Sequence, residues 1–118
     1  MKGVDGETAV YLWQGAVDMR MSFDRLSALV SERLGRSVLS GGLFLFFSRC
    51  RSRVKLLYWD TDGYALWHKR LEAGKYRVAQ VDVYQEITAI DMADLLRGTD
   101  LSRIKLRRNV EKGSFTSA

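Results

Sequence analysis

LFLFFSRCRSRVKLLYWD, residues 43 to 60, decides how this chain folds. Its first five residues, Leu43 to Phe47, are apolar at every position, as a strand buried on both faces would be. Ser48 to Ser52 is short and polar, a turn. Arg53 to Asp60 is again rich in β-formers, so the two runs read as a hairpin. Gly41-Gly42 opens this sheet region, and Thr61-Asp62-Gly63 marks a second tight turn, with glycine free to take a positive φ. Tyr64 to Glu72 (YALWHKRLE) returns as a third strand, Ala73-Gly74-Lys75 turns again, and Tyr76 to Tyr84 reads as a fourth, with Ala79, Val81 and Val83 on one side.

Before the hairpin, Thr8 to Trp13 (TAVYLW) reads as a first strand, and Gln14 to Met21 as a loop containing Asp18-Met19-Arg20. Ser22 is a candidate N-cap, with Asp24 in the first turn where negative charge is favoured. Phe23, Leu26, Leu29, Val30 and Leu34 recur at helical spacing up to a stop at Gly35. After the meander, Thr88 with Asp91 resembles a capping box, and a short helix runs through Arg97 to Gly98. The order β-α-β-β-β-β-α predicts an α+β fold: a largely antiparallel meander with two helices packed on it. Residues 1–104 are expected to form one domain, and residues 105–118 a flexible tail that is basic and then polar.

With 118 residues, 47% of them apolar, the chain can bury one real core and is not of the disordered class. Cys50 is the single cysteine, which excludes an intramolecular disulfide and a cysteine-based zinc site and fits a cytoplasmic protein. Met1 to Glu7 is too polar for a signal peptide, and Leu43 to Phe47 is far too short to cross a bilayer, so no membrane partner is expected. Net charge is +5, unevenly spread: residues 33–77 hold ten cations and three anions, whereas residues 78–100 hold one cation and five anions. That middle surplus points to an anionic partner, nucleic acid first.

Arg49, Arg51, Arg53 and Lys55 place a cation at every second residue around the hairpin turn. Alternate residues of an extended stretch lie roughly 6.6 Å apart, close to the spacing of backbone phosphates. Lys69-Arg70, with Lys75 and Arg77 beyond the next turn, form a second group if the third and fourth strands pair. The competing reading of such charges is an edge that discourages sheet aggregation. Tyr58, Trp59, Tyr64, Trp67 and Tyr76 lie among the cations, where exposed rings stack on unpaired bases and buried ones build core.

Signals for catalysis are weak. His68 is the sole histidine and has no second one with which to hold zinc. No nucleophile motif or Gly-rich phosphate loop occurs. Asp18, Asp60, Asp62, Asp91 and Asp94 would bind Mg²⁺ for a nuclease reaction only by converging from distant positions, and they fit turns and caps equally well. Neither a cofactor nor a metal is expected.

Several blocks together resemble a known family. They are Asp18-Met19-Arg20 with Phe23-Asp24-x-Leu26-x-x-Leu29-Val30, then Leu43-Phe44-x-Phe46, the arginine-rich turn, and Val54-Lys55-Leu56-Leu57-Tyr58-Trp59-Asp60-x-x-Gly63. Lys69-Arg70-Leu71-Glu72-x-Gly74-x-Tyr76 and Leu95-Leu96-x-Gly98-x-Asp100 follow in order. Across roughly residues 9–104 this is similar to the TnpB-type accessory protein, the second reading-frame product, of insertion sequence sixty-six transposons. It does not resemble the RNA-guided nucleases that share the name TnpB. Met21, Phe47 and Cys50 depart from the more basic residues usual in that pattern.

The resemblance implies an accessory factor encoded beside a DDE-type transposase, with no catalytic residues to carry over. Joined to the charge pattern, it predicts a non-enzymatic transposition protein whose Arg49, Arg51, Arg53, Lys55, Lys69 and Arg70 contact the backbone of transposon-end DNA. The alternative is an adaptor that docks on the transposase through the aromatic-rich meander without touching DNA.

Overall fold

The apolar run becomes the central strand of a sheet. A computed structural model of the chain describes residues 8–81 and 83–97. In it β1 (Val10–Ala16), β2 (Leu43–Phe47), β3 (Arg53–Asp60), β4 (Gly63–Arg70) and β5 (Tyr84–Ile87) lie in the order β4-β3-β2-β1-β5. Every residue of β2 is buried, because it has a strand on each side and a packed layer on each face. The β2–β3 hairpin pairs Phe47 with Val54, and the β3–β4 hairpin pairs Arg53 with Arg70. Together they form the expected meander, and the whole is a single α+β domain with a mostly antiparallel sheet.

The fourth meander strand does not form. Of the segment 76–84, the described residues 76–81 and 83 are irregular apart from a bridge at Arg77, and Tyr84 begins the last strand, β5, which pairs antiparallel with β1 at the far edge. Two physical reasons are visible. Val10 to Trp13 is buried throughout and needs a neighbour on each side, β2 on one and β5 on the other. Pairing Tyr76–Tyr84 with β4 would also bring Lys75 and Arg77 beside Lys69 and Arg70, and like charges across a ladder are destabilising. The β1–β2 pair is parallel, which the intervening helix permits, since parallel neighbours need a long crossover.

The two helices take opposite faces. Helix α1 (Phe23–Leu29) continues as a wider π-helical turn through Leu34 and stops at Gly35, whose φ of 66° suits glycine. Its Leu26 and Val30 pack with Tyr11, Trp13, Phe44, Phe46 and Leu57. Helix α2 (Ala89–Leu96) places Met92, Leu95 and Leu96 against Val10, Leu12, Leu45, Phe47 and Leu56. Thr88 caps it as expected, accepting from the Asp91 N–H at 3.0 Å, whereas Ser22 makes no side-chain cap to α1. At the β3–β4 turn the left-handed residue is Thr61, with φ 61°, not Gly63, which already belongs to β4. Gly98 and the tail at 105–118 lie outside the described residues. No helix among the described residues is long and apolar enough to cross a membrane.

Candidate nucleic-acid interface

The strand directions bring the cations to one end of the sheet. The end of β2, the start of β3 and the end of β4 meet there, with the loop that leaves β1 beside them. The irregular stretch after β4 is laced onto the hairpin turn. Leu71 N–H donates to the Ser52 carbonyl, Tyr76 N–H to the Arg51 carbonyl, and the Gln80 side chain to the Arg49 carbonyl, at 2.6–2.7 Å. Lys75 and Arg77 thus approach the tip through this lacing and not through a ladder with β4.

The four cations of the turn split into two kinds. Lys55 is 7% exposed, and its ammonium donates to the carbonyls of Met19 and Met21, both at 2.7 Å. That loop is held by Asp18, which accepts from the Arg20 backbone N–H and from its guanidinium. These bonds to Arg20 hold the Asp18 carboxyl down to about 2. Burial pushes the Lys55 ammonium pKa down, partly offset by the Asp18 charge. Arg51 is 6% exposed and donates through Nη2 to the Gln14 carbonyl at 2.5 Å and the Ala79 carbonyl at 3.1 Å. Both side chains turn inward, so the expected row of four outward cations is reduced to Arg49, which is exposed, and Arg53, which is half-buried.

Lys69 and Arg70 also separate. Neighbours on a strand face opposite ways, and Lys69 reaches the Leu96 carbonyl at 3.3 Å, where a cation suits the C-terminal end of α2. Arg70 lies on the α1 side, directly across from Arg53. Arg53, His68, Arg70 and Glu72 line an open cleft of about 280 Å³. Glu72 accepts from Arg70 at 2.9 Å, and Lys55 is the cross-strand neighbour of His68. Partial burial, with the Lys55 and Arg53 charges, holds the His68 pKa below its usual 6.5.

The other candidates scatter. Tyr76 packs on Phe47 and Trp59 meets Tyr64 edge to face, so these rings serve the core, not a stacking platform. Asp60 and Asp62 sit at the opposite end of β3 from Asp18, and among the described residues no three His, Cys, Asp or Glu side chains could hold a metal ion. Cys50 is exposed, and hydrogen bonds with Ser52 (3.0 Å) and Ser48 (3.6 Å) bring its thiol down to about 7. Arg33 over Trp13 and Arg36 over Tyr11 are cation–π contacts that spacing along the chain does not reveal.

The model of the IS66 Orf2-like proteins matches residues 8–106. The chain belongs to that family. Two relatives come from Sinorhizobium fredii (strain NBRC 101917 / NGR234). The uncharacterized protein y4jC is 32% identical over 75% of this chain and 77% of its own length. The uncharacterized protein y4hO is 37% identical over 57% of this chain, and the match spans 58% of that relative. No solved structure matches the chain. Membership of the IS66 Orf2-like family implies an accessory role in transposition, and the family is not a known catalytic one. Two blocks on which the resemblance rested also touch: the loop at Asp18-Met19-Arg20 supplies one of the carbonyls that hold Lys55 of the second.

Proposed function

We propose that this IS66 Orf2-like protein supports transposition by gripping the DNA backbone with Arg49, Arg53 and Arg70, Lys69 flanking on the other face. The observation that carries this reading is the Arg53–Arg70 pair. Two guanidinium groups stand directly opposite in the β3–β4 ladder and border an open cleft, with Glu72 paired to one of them. Like charges so placed repel, and a phosphate between them relieves that repulsion while offering oxygens to both. Backbone contacts of this kind position a protein without reading sequence. Fluorescence anisotropy with a transposon-end duplex tests it. Substituting alanine at Arg49, Arg53 and Arg70 is expected to weaken binding at least about a hundred-fold at low salt. Unchanged affinity in a folded variant rules the reading out.

An exposed apolar strip favours the adaptor as a second reading. Val81 and Val83, which precede the edge strand β5, and Tyr84, which begins it, are 46%, 51% and 41% exposed. Such a strip suits a protein partner, the transposase first. Retention of the transposase by the wild type in nuclease-treated lysate, and its loss in a Val81→Ser/Val83→Ser variant, would support docking there; no retention by the wild type would count against it.

A further inference from the structure

We propose that the cleft beside Arg51 is a phosphate-binding site separate from the Arg53–Arg70 cleft. Arg51 combines two unfavourable features. Its backbone is left-handed, with φ 63°, which is costly for any residue with a side chain. Its guanidinium is also buried, and it stays charged at any working pH. Nη2 has its two carbonyl acceptors, but among the described residues Nε and Nη1 have none, and the buried Tyr76 hydroxyl has no partner there either. The Phe47 ring touches both groups, with the Arg51 guanidinium 5.8 Å from its centre and the Tyr76 ring at 5.5 Å. Leaving a desolvated charge unpaired is strongly unfavourable, and strained, desolvated groups facing a cleft are where binding sites are found.

The cleft is open, about 580 Å³, and among the described residues Lys75 and Arg77 line it and no carboxylate does. Arg51, Tyr76, Lys75 and Arg77 therefore offer donors and positive charge and call for an acceptor that is itself negative. Nε and Nη1 lie on different edges of the guanidinium, and the phenol adds a third direction. A phosphate engages one edge of the guanidinium, Nη2 with either Nε or Nη1, through two oxygens and keeps further oxygens for the phenol, whereas a carboxylate spends both of its oxygens on that edge. An entering oxygen reaches the guanidinium by replacing the Ala79 carbonyl, the longer of its two contacts, in a stretch bridged only at Arg77 among the described residues. Tyr76 and Val78 belong to the core on the α2 side, while Arg53 and Arg70 lie on the α1 side, so the two clefts are independent.

The test titrates the full chain with inorganic phosphate while following the Arg51 Nε–H signal by NMR and the heat of binding. Phosphate is expected to bind and to shift that signal. Tyr76→Phe, which keeps the ring packing, is expected to weaken binding about ten-fold, the loss of one such hydrogen bond. Arg51→Lys should do so further, and Arg53→Ala/Arg70→Ala should leave the phosphate-dependent shift of the Arg51 Nε–H signal unchanged even where it abolishes duplex binding. A single strand with a 5′-phosphate that outbinds its 5′-hydroxyl counterpart assigns the site to a strand end, and equal affinity assigns it to a free phosphate ligand. Absence of phosphate binding overturns the proposal. So does binding that ignores Tyr76→Phe and disappears in Arg53→Ala/Arg70→Ala.

Discussion

Replacing Lys55 by methionine separates a structural cation from a binding one. Methionine keeps much of the apolar stem but removes the ammonium that ties the Met19 and Met21 carbonyls. Each carbonyl left without its donor costs about 1–3 kcal/mol. Part returns because a desolvated charge is gone and water reaches the half-buried loop, so a net loss of about 2 kcal/mol is expected. For a domain of this size that lowers the melting temperature by roughly 8 °C. Urea unfolding should show a lower midpoint with an unchanged slope. The partner substitution Arg53→Ala, at a half-buried side chain with no internal acceptor among the described residues, should stay within about 0.5 kcal/mol of wild type. Below its melting temperature Lys55→Met should bind DNA with the wild-type salt slope. If instead it melts like wild type and its salt slope falls by about 0.9, one phosphate contact, Lys55 faces the ligand and the inward placement is wrong.

Three further outcomes follow from individual contacts. Alkylation of Cys50 should reach half its maximal rate near pH 7, where Ser52 and Ser48 place its thiol, and Ser52→Ala should move that midpoint upward. A phosphate in the Arg53–Arg70 cleft offsets the Lys55, Arg53 and Arg70 charges that face His68 alongside Glu72, so binding takes up a proton. DNA affinity should therefore rise on acidification as His68 takes up its proton, and His68→Gln should flatten that dependence. The free protein behaves oppositely: with the folded His68 pKa depressed, the unfolded chain binds more protons below about 6.5, and stability declines there. Thr88→Ala removes the α2 cap and should cost about 1 kcal/mol in chemical denaturation, while Thr88→Ser should restore it.

What the sequence made legible was the part governed by local pattern. Leu43–Phe47 and Arg53–Asp60 were readable as strands because a buried run and a β-rich run flank a polar turn, and Gly35 and Thr88 announce helix ends by their own chemistry. The partner of the last strand was not readable, since pairing depends on which buried strand still lacks a neighbour. Side-chain direction in the turn was the larger miss. Alternation predicts that Arg49, Arg51, Arg53 and Lys55 share a face only if the chain stays extended, and Arg51 breaks that at φ 63°. A lysine in the middle of an apolar strand, between Val54 and Leu56, was the available signal that Lys55 is structural. Its acceptors, 34 and 36 residues earlier, carry no such mark.

The salt dependence of DNA binding tests the central claim most directly. Three outward cations at the end of the sheet, Arg49, Arg53 and Arg70, predict that log affinity falls against log salt with a slope near −2.7, about −0.9 for each phosphate engaged. Each alanine substitution among the three should make that slope shallower by roughly 0.9, while Lys55→Met leaves it alone. A slope near zero, or one that none of the three substitutions alters, would contradict the account.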